Sequence, residues 1–147
     1  MPIPNAGRII AIDWGEVRLG LALSDESQVL ASPLGTLTRR AGKRFPMPAF
    51  LESVGTHHPV GVVVGLPLTP EGEEGESARA ALELAELVEK RTTLPVELTD
   101  ERMTTARVLS AIREQGGSTR GRKEDVDAHA AAVLLQGFLD RRRGTAL

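Results

Sequence analysis

A chain of 147 residues, 41% hydrophobic and 26% charged, has the length of one ordinary domain and enough apolar content to bury a core, which excludes a disordered or low-complexity protein. Without cysteine it forms no disulfide, thiolate metal site or cysteine nucleophile, so any metal must be held by oxygen or by one of three histidines. The net charge of −2, with one Trp, three Phe and no Tyr, argues against a protein that coats nucleic acid or stacks single-stranded bases.

The first expected element is a hairpin. Arg8 to Asp13 and Arg18 to Asp25 are apolar runs separated by a turn containing Gly15. Gln28 to Thr38 supplies a third strand, which Pro33 confines to a sheet edge or a bulge. A short helix is expected after Pro48, closing near Gly55, and Val60 to Gly65 reads as a strand buried on both faces. Ser77 to Arg91 places Ala78, Ala81, Leu82, Ala85, Leu87 and Val88 at helical spacing. Leu94 to Asp100 is a strand, Thr104 to Gln115 a helix closed by Gly116-Gly117, and Lys123 to Arg143 a long final helix. A meander followed by strand–helix alternation implies an α/β fold, with one mixed sheet flanked by helices in a single domain over 1–147. No apolar run approaches the ~18 residues of a membrane span, and the residues from Met1 to Arg8 lack a signal-peptide layout, so a cytoplasmic protein without a membrane partner is expected.

Charge is uneven along this frame. Residues 1–70, 71–101 and 102–147 carry +1, −7 and +4, from 6, 3 and 9 basic against 5, 10 and 5 acidic residues. The clusters Arg39-Arg40-Gly42-Lys43-Arg44, Arg120-Gly121-Arg122-Lys123 and Arg141-Arg142-Arg143 are either solvated surface or phosphate contacts.

Three carboxylates stand in unusual places. Strand alternation puts Asp13 on one face with Ile9 and Ala11, at the end of an apolar strand, unless it only caps the following turn. Asp127 shares a helical stripe with Ala130, Ala131, Leu134 and Phe138, with the helix dipole or Lys123 as compensation. Glu101 follows the last strand and precedes Thr104, where a loop acid ahead of a helix cap is the simpler reading. His129 lies on another face of the final helix and is expected in solvent. Together, acids at two strand ends and in the first turns of a sheet-packed helix could converge on an all-oxygen site, which suits Mg²⁺ or Mn²⁺ and phosphodiester hydrolysis. Arg102 and Lys123 would be available to hold the phosphate.

The residues Asp13-Trp14-Gly15-Glu16-Val17-Arg18-Leu19-Gly20-Leu21-Ala22-Leu23-Ser24-Asp25, then Val63-Val64-Gly65-Leu66-Pro67-Leu68, then Asp100-Glu101-Arg102-Met103-Thr104-Thr105, then Val126-Asp127 and its alanines, resemble the four signature blocks of the YqgF (RuvX) family. The resemblance implies a ribonuclease H-like fold with a five-stranded mixed sheet, related to that of the junction resolvase RuvC. It implies a nuclease that matures the 5′ end of pre-16S ribosomal RNA. It also implies that Asp13, Glu101 and Asp127 are the catalytic, metal-binding acids. Beside them, the basic residues Arg18, Arg102, Arg120, Arg122 and Lys123 are expected on the substrate. Val17, Met103 and His129 depart from the family pattern, and none of them is one of the acids.

Other functions compete on the same residues. A DNA junction resolvase would use the same acids on branched DNA as a symmetric homodimer, whereas a nuclease acting on structured RNA need not be dimeric. An actin-like ATPase shares the early hairpin but needs a second domain for which 147 residues leave no room. A non-catalytic ribosome assembly factor would not need the intact acids.

Overall fold

The two early apolar runs form strands β1 (Ile9–Trp14) and β2 (Arg18–Ser24), paired antiparallel with Ile12 opposite Leu21 and Asp13 opposite Gly20. In this computed structural model the described residues are 2–14, 18–40, 44–66, 76–100 and 123–144. β3 (Ala31–Thr38), β4 (Gly61–Leu66) and β5 (Val96–Asp100) complete a five-stranded sheet in the order β3-β2-β1-β4-β5. β4 runs parallel to both β1 and β5, so the carboxyl ends of these three strands share one edge. The expected change from antiparallel to parallel pairing is present.

Pro33 meets both conditions that proline imposes on a strand. It lies in edge strand β3, at a register break where Leu21 faces Gly35 and Ala22 faces Pro33. In the turn before it, the Asp25 carboxylate accepts hydrogen bonds from the Ser27 hydroxyl and from the backbone N–H groups of Leu30 and Val29. These donors hold the Asp25 carboxyl below its usual range.

Three helices are described: α1 (Met47–His57), α2 (Glu76–Thr92) and α3 (Lys123–Gly144). α1 begins before Pro48 rather than after it, because a first-turn proline lacks only an N–H that has no helical partner. It also runs two residues past Gly55 and closes at left-handed His58, whose N–H donates to the Val54 carbonyl. The helix expected over Thr104 to Gln115 lies outside the described residues.

Alternation sends the central strands' side chains into two cores. Ile10, Ile12, Leu19, Leu21, Val62 and Val64 pack with Phe50 of α1 and with Ala81, Leu84 and Val88 of α2. Ile9, Ala11, Ala22 and Val63 pack with Ala131, Leu134, Leu135, Phe138 and Leu139 of α3. In α2 the buried row differs from expectation: Leu84 is 4% exposed and Leu87 is 42% exposed. Positions 81, 84 and 88 form the i, i+3, i+7 line that meets the sheet, and Leu87 lies beside it. α3 crosses β1, β2 and β3 on one face, while α2 covers β4 and β5 on the other. Among the described residues no helix is long and apolar enough to cross a membrane.

Candidate active site

Asp13 lies near the carboxyl end of central strand β1. Ile9 and Ala11 belong to the core beneath α3, so the two-residue period turns Asp13 toward the same helix. Directly opposite is Gly20, which lets the helix come close. A Cβ at Gly20 would lie 1.8 Å from the Asp127 carbonyl oxygen and 2.4 Å from its carbonyl carbon. Backbone therefore meets backbone, and the fifth residue of α3 is seated across from Asp13.

The Asp127 carboxylate accepts a 3.2 Å hydrogen bond from Arg18 Nε, in a pair whose side chains are 34% and 24% exposed respectively. At that exposure an ion pair is worth only ~0–1 kcal/mol, so it directs the carboxylate more than it stabilises the fold. The described partner of Asp127 is Arg18, 109 residues away in sequence. A pair with Lys123, one of the two compensations expected, falls on the first residue of α3, whose side chain lies outside the described set. Asp13 and Asp127 are both half-buried. The early turns of α3 also carry the positive end of the helix dipole, which favours an anion at Asp127.

Glu101 follows Asp100, the last residue of β5, and β5 ends on the same sheet edge as β1. Glu101, Arg102, Arg120 and Arg122 themselves lie outside the described residues. His129 is exposed, as its place on the helix predicts.

The described residues thus contribute two carboxylates here, Asp13 and Asp127. Among the described residues no group of three or more side chains able to hold a metal forms. The donor set fits a hard divalent cation such as Mg²⁺ or Mn²⁺, since it is carboxylate oxygen with no cysteine in the chain.

Two features of this neighbourhood were not read from the sequence. One is the backbone contact at Gly20, which belongs to a glycine inside an apolar strand, a signal for close approach. The other is an aromatic chain. Trp14, beside Asp13, stacks on Phe45 with ring centroids 6.0 Å apart, and Phe45 meets Phe50 edge-on at 5.4 Å. A groove of about 790 Å³ at the opposite end of the sheet, lined in part by Arg8, Glu26, His57 and His58, is remote from these carboxylates.

The profile of the RuvX family, described as a Holliday junction resolvase, matches residues 7–141. A protein of Anaeromyxobacter dehalogenans named "Putative pre-16S rRNA nuclease" is 43% identical over 92% of this chain and 98% of its own length. A protein of the same name from Rhodococcus opacus is 39% identical over 95% of this chain and 80% of its own length. Among solved structures, T. thermophilus RuvC in complex with a Holliday junction substrate superposes with a TM-score of 0.55, 19% identity and coverage of 94% and 97%. The yeast mitochondrial Holliday junction resolvase Ydc2 gives a TM-score of 0.52 at 10% identity, covering 94% and 80%. These two structures establish the ribonuclease H-like fold.

Proposed function

Since this chain belongs to the RuvX family, we propose that it is a metal-dependent nuclease of the cytoplasm that hydrolyses phosphodiester bonds in maturing the 5′ end of pre-16S ribosomal RNA. The observation that carries the reading is the seating of Asp127 across Gly20 from Asp13, which brings two carboxylates from distant parts of the chain to one sheet edge. The names of the relatives supply the substrate.

In this reading Asp13, Asp127 and Glu101 hold Mg²⁺ or Mn²⁺, which when bound would lower the pKa of water and offset charge on the phosphate oxygens. Asp13 approaches from the sheet and Asp127 from the helix, so the two oxygens come from rigid elements rather than from loops. Arg18 orients Asp127 and presents positive charge where a phosphate would arrive. Arg102, Arg120, Arg122 and Lys123 steer the strand, and water attacks phosphorus in line with the leaving oxygen.

The test offers the purified protein, with Mn²⁺, a precursor ribosomal RNA and a four-way DNA junction side by side. Cleavage of RNA alone is expected. Asp13→Asn should lower it more than about a hundredfold, beyond what loss of a supporting residue causes. The variant's stability should stay within about 0.5 kcal/mol, because removing one of two neighbouring like charges relieves repulsion. Cleavage of the junction alone would move the assignment to a resolvase. Cleavage of neither would overturn the enzymatic reading.

A further inference from the structure

The run Arg141-Arg142-Arg143 lies in the last turn of α3, and its three guanidiniums have different partners. Arg142 turns inward, donating to the Ile3 carbonyl and to Gln28 Oε1. Arg143 pairs with Asp140. Arg141 instead folds back along the helix and donates through Nη2 to the Thr99 hydroxyl at 2.5 Å. Helical side chains lean toward the helix start, and Gly137, one turn earlier, leaves this one its room: a Cβ there would lie 3.3 Å from Arg141 Nη1.

The hydroxyl fixes where that charge sits. Thr99 is buried on β5 opposite Gly65 of β4, and Gly65 follows Val64, the partner of Ile12. Asp13, Gly65 and Thr99 therefore form one row, on the face that Ala11 and Val63 turn to α3. Arg18 lies on the same face, on the strand to the other side of Asp13. Two guanidiniums thus flank the carboxylates, Arg18 on β2 and Arg141 at β5. Three strand spacings separate Arg18 from Thr99, ~14 Å, or roughly four steps of a nucleic-acid strand at its axial rise.

Arg141 keeps most of its charge for a ligand. It is exposed, its partner is a neutral hydroxyl, and its other N–H groups meet no acceptor among the described residues. The adjacent Asp140 carboxyl is held below its usual range by the Gln136 amide first and then by Arg143, with Arg141 contributing least.

We propose that Arg141, held in place by Thr99, binds a backbone phosphate of the substrate on the β5 side of the carboxylates, so that the strand crosses the sheet edge from Arg18 to Arg141. The path past the carboxylates rests on the nuclease reading, whereas the phosphate contact itself does not.

The experiment measures binding of a labelled single-stranded RNA and of DNA of the same sequence by fluorescence anisotropy in EDTA, across a series of salt concentrations, so that it is independent of cleavage. For Arg141→Gln, affinity should fall roughly fivefold near 0.1 M salt, and the slope of log K against log salt should become shallower by about 0.7, one phosphate contact on a single strand. Arg141→Lys keeps the charge and should keep most of the slope. Arg91→Gln removes an equal charge from the last turn of α2, on the other face of the sheet, and should leave the slope as it is. In cleavage of precursor RNA with Mn²⁺, Arg141→Gln should raise KM about fivefold and leave kcat nearly unchanged, because the contact is to a phosphate away from the reacting bond. A binding loss confined to RNA or to DNA supports the proposal and names the backbone. A fall in kcat at constant KM would show that Arg141 serves only to hold β5, and overturns it. So do an unchanged slope, an equal loss in Arg141→Lys or Arg91→Gln, and wild-type protein that binds neither strand. Absent cleavage beside an intact binding effect leaves the phosphate contact standing and counts against the nuclease reading alone.

Discussion

At Gly20 a single methyl group would collide with the Asp127 carbonyl, and neither backbone can swing aside as a side-chain end could. Gly20→Ala therefore has to push the start of α3 off the sheet or bend β2. The expected cost is about 1–3 kcal/mol, the range for overpacking a filled site, read as a lower urea midpoint. Cleavage should fall by more than the stability loss explains, because the displacement acts on Asp127 directly. A variant of normal stability and normal activity would show that the close approach is dispensable. This glycine stood inside the quoted Leu19-Gly20-Leu21 run, yet no rule of local sequence says which element will approach it. Asp13 and Asp127 were legible because their periods, two and 3.6, point them along apolar faces. The Arg18 contact to Asp127 was not, because Lys123 was the cation within helical reach and Arg18 arrives only through tertiary packing.

Among the elements, edge strand β3 depends on α3 for part of its hydrogen bonding. Gln136 accepts from the Ala31 N–H and donates to the Val29 carbonyl, both at 2.9 Å, and so clips the start of the strand to the helix. Removing it by Gln136→Ala should accelerate amide exchange at Ala31 at least about fivefold, equivalent to one lost hydrogen bond of ~1 kcal/mol, while the β1 amides keep their protection. Unchanged exchange at Ala31 would mean that pairing with β2 alone holds the strand. Element types were readable along most of the described chain, since β-branched runs and apolar helical stripes are long-lived local signals. Ends were less so. Pro48 looked like a boundary, but in the first turn it sits inside the helix, and the buried line of α2 was rotated toward Leu84 by the sheet it meets.

For the molecule as a whole, two carboxylates held close in the fold should make stability respond to cations. Mn²⁺ at about a hundred times its dissociation constant would add ~2.7 kcal/mol, a rise in Tm of roughly 5–10 °C at this chain length. The rise should be much smaller in Asp13→Asn and in Asp127→Asn, measured by calorimetry with and without EDTA. Equal rises in all three proteins would place cation binding elsewhere. The change from antiparallel to parallel pairing was implied by the pattern of meander followed by alternation, whereas the seating of α3 across β1, β2 and β3 was not, because which strands a helix crosses is decided by tertiary packing.

That seating makes α3 a strut. It is about 33 Å long by helical rise, and it is fastened near its start by Gly20 and Arg18 and near its finish by Arg142, whose guanidinium donates to the Ile3 carbonyl and to Asn5 Oδ1. A ratchet by one helical turn, about 5.4 Å, would have to release both anchorages together. The spacing of Asp13 and Asp127 is thereby set by a beam clamped at two ends.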